Sequence, residues 1–178
     1  IIVCHLGNGA SISAVDHGKC VDTSMGLTPL EGLIMGTRSG DMDPAIVEFL
    51  GKKLGKSLEE VTKILNKESG VYGLSGGVSS DFRDVQKAQK EGNKRADIAI
   101  QAFVYRVAKY IGSYVAAMNG VDAIAFTAGV GENDATIRKE ICSYLGYLGV
   151  TVDNEANKLR GEEVKISGAD SKVQVFAI

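Results

Sequence analysis

The sequence predicts an α/β domain with a mixed sheet, in which antiparallel strands come first and βα units follow. Three observations predict it. Short alternating segments joined by glycine turns open the chain, long runs with helical periodicity fill its middle, and an almost wholly apolar stretch, 121–127, leads through glycines into another helical pattern. No internal repeat and no low-complexity tract interrupts this order.

Ile1–Leu6 is an apolar run ending in Gly7-Asn8-Gly9; Ala10–Val15 alternates small polar with apolar residues, Asp16–Lys19 is a turn, and Cys20–Thr23 alternates again. Glycine turns between alternating segments predict hairpins, here three antiparallel strands. From Met25 to Asp43 glycines break every period, which predicts an extended, mobile or functional loop. Asp43-Pro44 then opens a helix closed by Gly55, with Ile46, Val47, Phe49, Leu50 and Leu54 as its apolar face. Ser57-Leu58-Glu59-Glu60 is a capping box opening a second helix to about Asn66.

Residues 70–77 read as a further loop, and Ser80 or Asp81 caps a short helix to about Glu91. The longest helix spans Asn93–Asn119, with Ile98, Ala102, Tyr105, Ala108, Ile111, Val115 and Met118 on one face and Gly120 at its end. Val121–Thr127 is a central strand. A helix capped by Asn133 runs to about Leu145, followed by a strand near Val150–Val152, a charged segment and a last strand, Val173–Phe176.

Composition narrows the function. The 178 residues carry 22 acids against 20 bases, a net charge of -2, with 44% hydrophobic residues. A balanced surface gives no footprint for nucleic acid, and no apolar run reaches the roughly 18 residues of a membrane span. Cys4, Cys20 and Cys142 are too few and scattered for a disulfide framework or a CxxC metal site, and are expected to be reduced core or near-core thiols of a cytoplasmic protein. Only His5 and His17 are available as imidazole ligands. Glycine is the anomaly: with 22 in a chain of only two prolines, many are expected at sharp turns or close approaches. Both ends fall inside apolar strand-like segments, so the sequence is expected to be part of a longer polypeptide.

The candidate chemistry sits at four places. Gly7-Asn8-Gly9 is either an ordinary Asn-Gly hairpin or a bare bend whose amides receive a phosphate. His5 beside it is either a hydrogen-bonded core histidine or a phosphate contact. Gly129-Val130-Gly131 after a strand suggests a dinucleotide fingerprint with Asp153 downstream, but Asp134 occupies the third glycine's place. There is no G-x-x-x-x-G-K-[ST] loop. The strand–glycine–helix junction suits an adenosine as well as it suits a relaxed turn. Arg38, between Gly36 and Gly40, either grips a multi-oxygen anion or pairs with Asp41 or Asp43. Asp81-Phe82-Arg83 either sandwiches a base or packs and solvates.

The motifs His5-Leu6-Gly7-Asn8-Gly9-Ala10-Ser11, Val21–Gly26, Thr28–Gly32, Met35–Gly40, Ser80–Asp84 and Phe126–Asn133 together closely resemble the acetate kinase family, with propionate kinases sharing most of them. The match runs in order along essentially the whole chain. The resemblance implies a ribonuclease H-like, actin-like ATPase domain, the C-terminal nucleotide-binding half of a longer two-domain kinase, covering 1–178 and truncated at both ends. It implies reversible phosphoryl transfer from ATP to acetate or another short-chain carboxylate, with Mg²⁺ whose ligands lie outside these residues, and a homodimer.

On this resemblance His5, Leu6, Gly7, Asn8 and Gly9 would form the phosphate side of the ATP site. Asp81, Phe82 and Arg83 would line the adenosine, and Gly129, Val130, Gly131, Glu132 and Asn133 would close it. Arg38 would stabilise the phosphoryl group in transfer. The acyl pocket is expected elsewhere, so the isolated chain is expected to bind nucleotide weakly and catalyse nothing. A non-catalytic actin-like module is the alternative of another class.

Overall fold

The computed structural model describes residues 1–178, which form two compact units: Ile1–Ser24 with Val104–Ile178, and Met25–Phe103.

The first unit holds one six-stranded sheet. Its strands are β1 (Ile2–Leu6), β2 (Ala10–Asp16), β3 (Lys19–Thr23), β4 (Ala123–Thr127), β5 (Val164–Lys165) and β6 (Gln174–Ala177), in the spatial order β3-β2-β1-β4-β6-β5. The first three form the expected antiparallel meander. Alternation sets their register: Ile2 pairs with Ala14, Cys4 with Ile12 and Leu6 with Ala10, and all six are fully buried on one face. β4 lies parallel to both β1 and β6, with Ile124, Ala125 and Phe126 buried, as a central strand requires. β3 is exposed along its length and ends the sheet with Lys19 and a register break at Ala14/Val15, features that blunt an edge.

The second turn is a true two-residue hairpin. Asp16 pairs with Lys19, and His17 and Gly18 are both left-handed (φ 47° and 78°), as that turn geometry demands. At the carboxyl end, the strand expected near Val150–Val152 reduces to a single bridge, Val152 to Ser167, while the charged segment supplies β5. Pairing with β6 creates β5; its composition gives no hint of it.

The second unit is helical: α1 (Ala45–Leu54), α2 (Leu58–Lys67), α3 (Gly70–Leu74) and α4 (Phe82–Lys90). Local signals place their ends. Gly55 closes α1 in the left-handed conformation, the Ser57–Glu60 capping box is formed in both directions, and Asp81 caps α4. Two expectations fail. Residues 70–74 are helical rather than loop, and no α1 residue is buried: Ile46, Phe49 and Leu54 remain 38%, 53% and 49% exposed.

The long helix α5 (Lys94–Ala117), capped by Asn93, passes from the second unit into the first. Its buried stripe is only in part the expected one, which it shares at Ala108 and Ile111. Ala99, Phe103, Val107, Ala108, Ile111 and Tyr114 are buried, whereas Ile98 and Tyr105 are 57% and 52% exposed. Apolar residues occupy most of this helix's circumference, so periodicity alone offers several stripes and packing selects one.

No helix is long and apolar enough to cross a membrane. Cys4 and Cys142 are buried, and burial pushes the Cys142 thiol up to about 12 and Cys4 higher still. Cys20, expected in or near the core, is exposed on β3.

Candidate functional site

In the first unit the sheet sets two bends side by side. β1 and β4 are parallel neighbours with His5 opposite Thr127, so the chain leaves both strands at the same carboxyl edge, where open α/β sheets present their ligand sites. From β1 it enters Gly7-Asn8-Gly9, closed by a hydrogen bond from the Gly7 amide to the Gly9 carbonyl (3.1 Å). None of these three residues is left-handed, so the bend is not the two-residue Asn-Gly hairpin that the dipeptide suggests. What the glycines supply is absence of bulk. A Cβ on Gly7 would lie 3.3 Å from the Gly9 carbonyl oxygen and 3.8 Å from Cβ of Ala128, which puts the two bends in contact.

His5 resolves its own ambiguity. The strand alternation that buries Cys4 and Leu6 turns His5 outward, and its imidazole is exposed and makes no hydrogen bond, so it is not a core histidine. Leu6 is fully buried and offers only its backbone to a ligand.

From β4 the chain enters α6 (Ala128–Asn133) through Ala128 at φ 65°, a left-handed conformation that costs a residue with a Cβ about 1–2 kcal/mol. The two glycines that follow do different things. Where Gly129 would carry a Cβ nothing lies within 4 Å, so its face is open. Gly131 is buried, with its Cβ position 3.2 Å from the Phe126 carbonyl carbon and 3.4 Å from the Cys4 carbonyl oxygen, which lets α6 lie directly on the two strands.

Glu132 is half-buried, and the exposed Asn133 donates back to the Gly129 carbonyl (3.2 Å) rather than capping the next helix. That cap is Asp134, which accepts from the Thr136 and Ile137 amides and so opens α7 (Ala135–Ser143). Asp134 therefore stands at a helix start of its own, away from the helix–strand contact where a dinucleotide fold needs its third glycine.

Behind α6 is a residue that motif reasoning missed. Arg138 on α7 has no exposed surface and donates to the carbonyls of Gly131 (2.9 Å) and Glu132 (2.5 Å) and to Asn157 Oδ1 and O (2.8 and 2.5 Å). Burial lowers its pKa from the ordinary guanidinium value, and the Asp134 carboxylate offsets part of that. The available signal was an arginine standing within the buried helical stripe of Ile137, Ile141 and Cys142.

In the second unit Arg38 does not sit on a slack loop. Residues 32–36 are buried, and the segment is fastened to the α2–α3 region by five hydrogen bonds. The Ser39 amide donates to Leu65 O, Thr37 Oγ1 to Asn66 O, and the amides of Ser69, Val71 and Tyr72 to the carbonyls of Thr37, Met35 and Gly36, all at 2.9–3.0 Å. Gly70, at φ 61°, makes this close approach possible. The expected flexibility is thus replaced by a fastened segment whose half-buried arginine makes one long hydrogen bond, to Met35 Sδ at 3.5 Å. The alternative pairing with Asp41 or Asp43 is not formed: Asp41 accepts from the Gly32 amide and Asp43 from the Ala45 amide.

Asp81-Phe82-Arg83 also divides its labour. Phe82 is 4% exposed, its ring edge-on to Phe103 with centroids 4.6 Å apart, so the ring anchors α4 in the core and is not free to sandwich a base. Asp81 and Arg83 face outward as a forked pair, with Nη2 to Oδ2 at 2.6 Å and Nε to Oδ1 at 3.0 Å. The Arg83 side-chain and backbone donors hold the Asp81 carboxyl down at about 2, below the ordinary 3.8. Since the folded state favours the ionised form, this cap stabilises the fold above about pH 4 and is lost as pH falls toward 2. Asp81→Asn is expected to flatten that part of the acid limb in urea denaturation series between pH 2 and 6; identical limbs for both proteins would remove Asp81 from the acid response.

No group of three or more His, Cys, Asp or Glu side chains is placed to hold a metal ion. The sequence profile of the Acetokinase family matches residues 1–178. The chain belongs to that family.

Acetokinase relatives agree in sequence and in fold. An acetate kinase of Lachnoclostridium phytofermentans is 65% identical over 178 residues, which is 100% of this chain and 45% of that protein. One from Carboxydothermus hydrogenoformans is 60% identical, again over 100% of the chain and 44% of the relative. The crystal structure of Porphyromonas gingivalis acetate kinase superposes with a TM-score of 0.95 at 48% identity, covering 99% of this chain and 44% of that one. A propionate kinase from Francisella tularensis gives 0.92 at 47% identity, covering 99% and 45%. The chain therefore has the actin-like α/β fold of the family and spans less than half the length of these relatives.

Proposed function

We propose that these residues are the nucleotide-binding half of an acetate kinase, a cytoplasmic and dimeric phosphotransferase that converts acetate and ATP into acetyl phosphate and ADP. The observation that carries the reading is the pair of contacting bends at the carboxyl edge of β1 and β4, one bare at Gly7–Gly9 and the other open at Gly129. His5, Leu6, Gly7, Asn8 and Gly9 take the phosphates; Gly129, Val130, Gly131, Glu132 and Asn133, with Asp81 and Arg83, take the adenosine, and Phe82 anchors that last segment. Mg²⁺ accompanies the nucleotide, with its protein ligands outside these residues.

The chemistry suits so plain a set of groups. A carboxylate is already anionic, so no base is needed to activate it. One of its oxygens forms a bond to the γ-phosphorus, the bond from that phosphorus to the β,γ-bridging oxygen breaks, and the electron pair leaves on ADP. Such a transfer requires alignment and charge stabilisation, and Arg38 supplies the latter to the phosphoryl oxygens.

A propionate kinase is the second reading, favoured by 47% identity to the Francisella structure, nearly the 48% found with an acetate kinase. The test is to assay the complete polypeptide carrying these residues with acetate, propionate and butyrate, following ADP. Acetate is expected to give the highest kcat/KM; a preference for propionate would transfer the assignment, and no ADP with any of the three would overturn it.

A further inference from the structure

Arg138 is placed where an apolar residue would cost less. Its neighbours on the buried stripe of α7 are Ile137, Ile141 and Cys142, and it exposes none of its surface. A buried guanidinium is tolerated when its donors are used, and all four hydrogen bonds here go to neutral carbonyl oxygens. Two of them go to Asn157, which is 3% exposed and whose Nδ2 donates to the Ala135 carbonyl at 2.8 Å. The arginine is thus held from behind by an amide that is itself held.

The other two, both from Nη1, go to Gly131 and Glu132. These carbonyls belong to the last turn of α6, where intrahelical partners run out. α6 has six residues, two of them glycine and one a strained alanine, so it has little helical stability of its own. A leucine or methionine at 138 would fill the space without fixing the distance between two carbonyls. A guanidinium with a rigid fork fixes it.

We propose that Arg138 is a positioning residue, which through the Gly131 and Glu132 carbonyls holds the Gly129–Asn133 turn, beside Gly7, in the shape that receives the adenosine of a nucleotide. The proposal rests on the nucleotide-binding reading of that turn. Arg138 touches no substrate; it acts through α6.

The test compares Arg138→Met, Arg138→Lys and Asn157→Ala in the complete polypeptide. KM for ATP is expected to rise about 10-fold or more in Arg138→Met, as loss of charge-assisted bonds to one buried and one part-buried carbonyl implies, with kcat and KM for the carboxylate within about threefold. Arg138→Lys should recover part of the loss, and Asn157→Ala should shift KM for ATP in the same direction by less. If Arg138→Met does not fold, Asn157→Ala carries the measurement. Unchanged KM for ATP in folded variants, with only thermal stability reduced, would make Arg138 a core residue and overturn the proposal.

Amide hydrogen exchange separates this failure from failure of the nucleotide reading. If the unmodified protein neither binds nor uses ATP, that reading falls and with it the role assigned to the turn. Faster exchange confined to residues 130–134 in the variants would then leave Arg138 as the anchor of α6 alone, whereas uniform acceleration would remove even that.

Discussion

Arg38→Ala is expected to lower kcat by about 10³-fold or more while leaving KM for ATP within a few-fold, because an arginine supplied to a transferring phosphoryl group contributes about 10³–10⁵ in rate. The basis is how the side chain is held. Its backbone is fastened by the bonds to residues 65–72, yet its guanidinium is engaged by nothing stronger than Met35 Sδ at 3.5 Å. No carboxylate neutralises it, so its charge is available to a ligand. Arg38→Lys should recover only a small part, since an ammonium is a point charge and cannot bridge two phosphoryl oxygens as a planar fork does. Steady-state kinetics on the complete polypeptide decide the matter: kcat within about threefold of the unmodified protein would take Arg38 out of the chemistry.

Gly70→Ala is expected to be a strongly damaging small substitution for the same apparatus. Gly70 has φ 61°, and a Cβ there would lie 2.2 Å from the Met35 carbonyl oxygen and 2.7 Å from that of Arg38. Both obstacles are backbone, so the arginine segment itself must move. The left-handed conformation alone costs about 1–2 kcal/mol, and displacement of the segment brings the loss to about 3 kcal/mol or more. Gly55 provides the control, since it has nearly the same φ, 64°, but nothing within 4 Å of the Cβ position. Gly55→Ala should therefore lose only about 1 kcal/mol, the conformational part. Urea midpoints for the two variants test this, and kcat should fall for Gly70→Ala alone. Equal midpoints would mean that the close approach at Gly70 carries no energetic weight.

Elements with local causes were legible in the residues. The His17-Gly18 hairpin, the Ser57–Glu60 capping box, the Gly55 stop and the central strand β4 each follow from a few adjacent side chains. Elements created by a distant partner were not. β5 is two residues that become a strand by pairing with β6, and the α5 stripe was legible only at Ala108 and Ile111 because several apolar faces compete on one helix. The site divides the same way. Its glycines and Arg38 stood out as residue types, but the choice left open at Phe82 between facing a base and packing was decided by the contact with Phe103, and the cap expected at Asn133 is formed by Asp134. Arg138 carried no motif, because its importance lies in which carbonyls it reaches.

Order of elements, family motifs and the glycine- and arginine-bearing segments can all be read along the chain, since each depends on neighbours within a few positions. Which amides stand together, whether the arginine segment is slack or fastened, and what lies behind the Gly129 turn cannot. Those depend on contacts between segments dozens of residues apart, such as Cys4 with Gly131 and Met35 with Gly70, whose closeness no local pattern encodes. Folding makes them neighbours, and a glycine's missing side chain then determines how near they come.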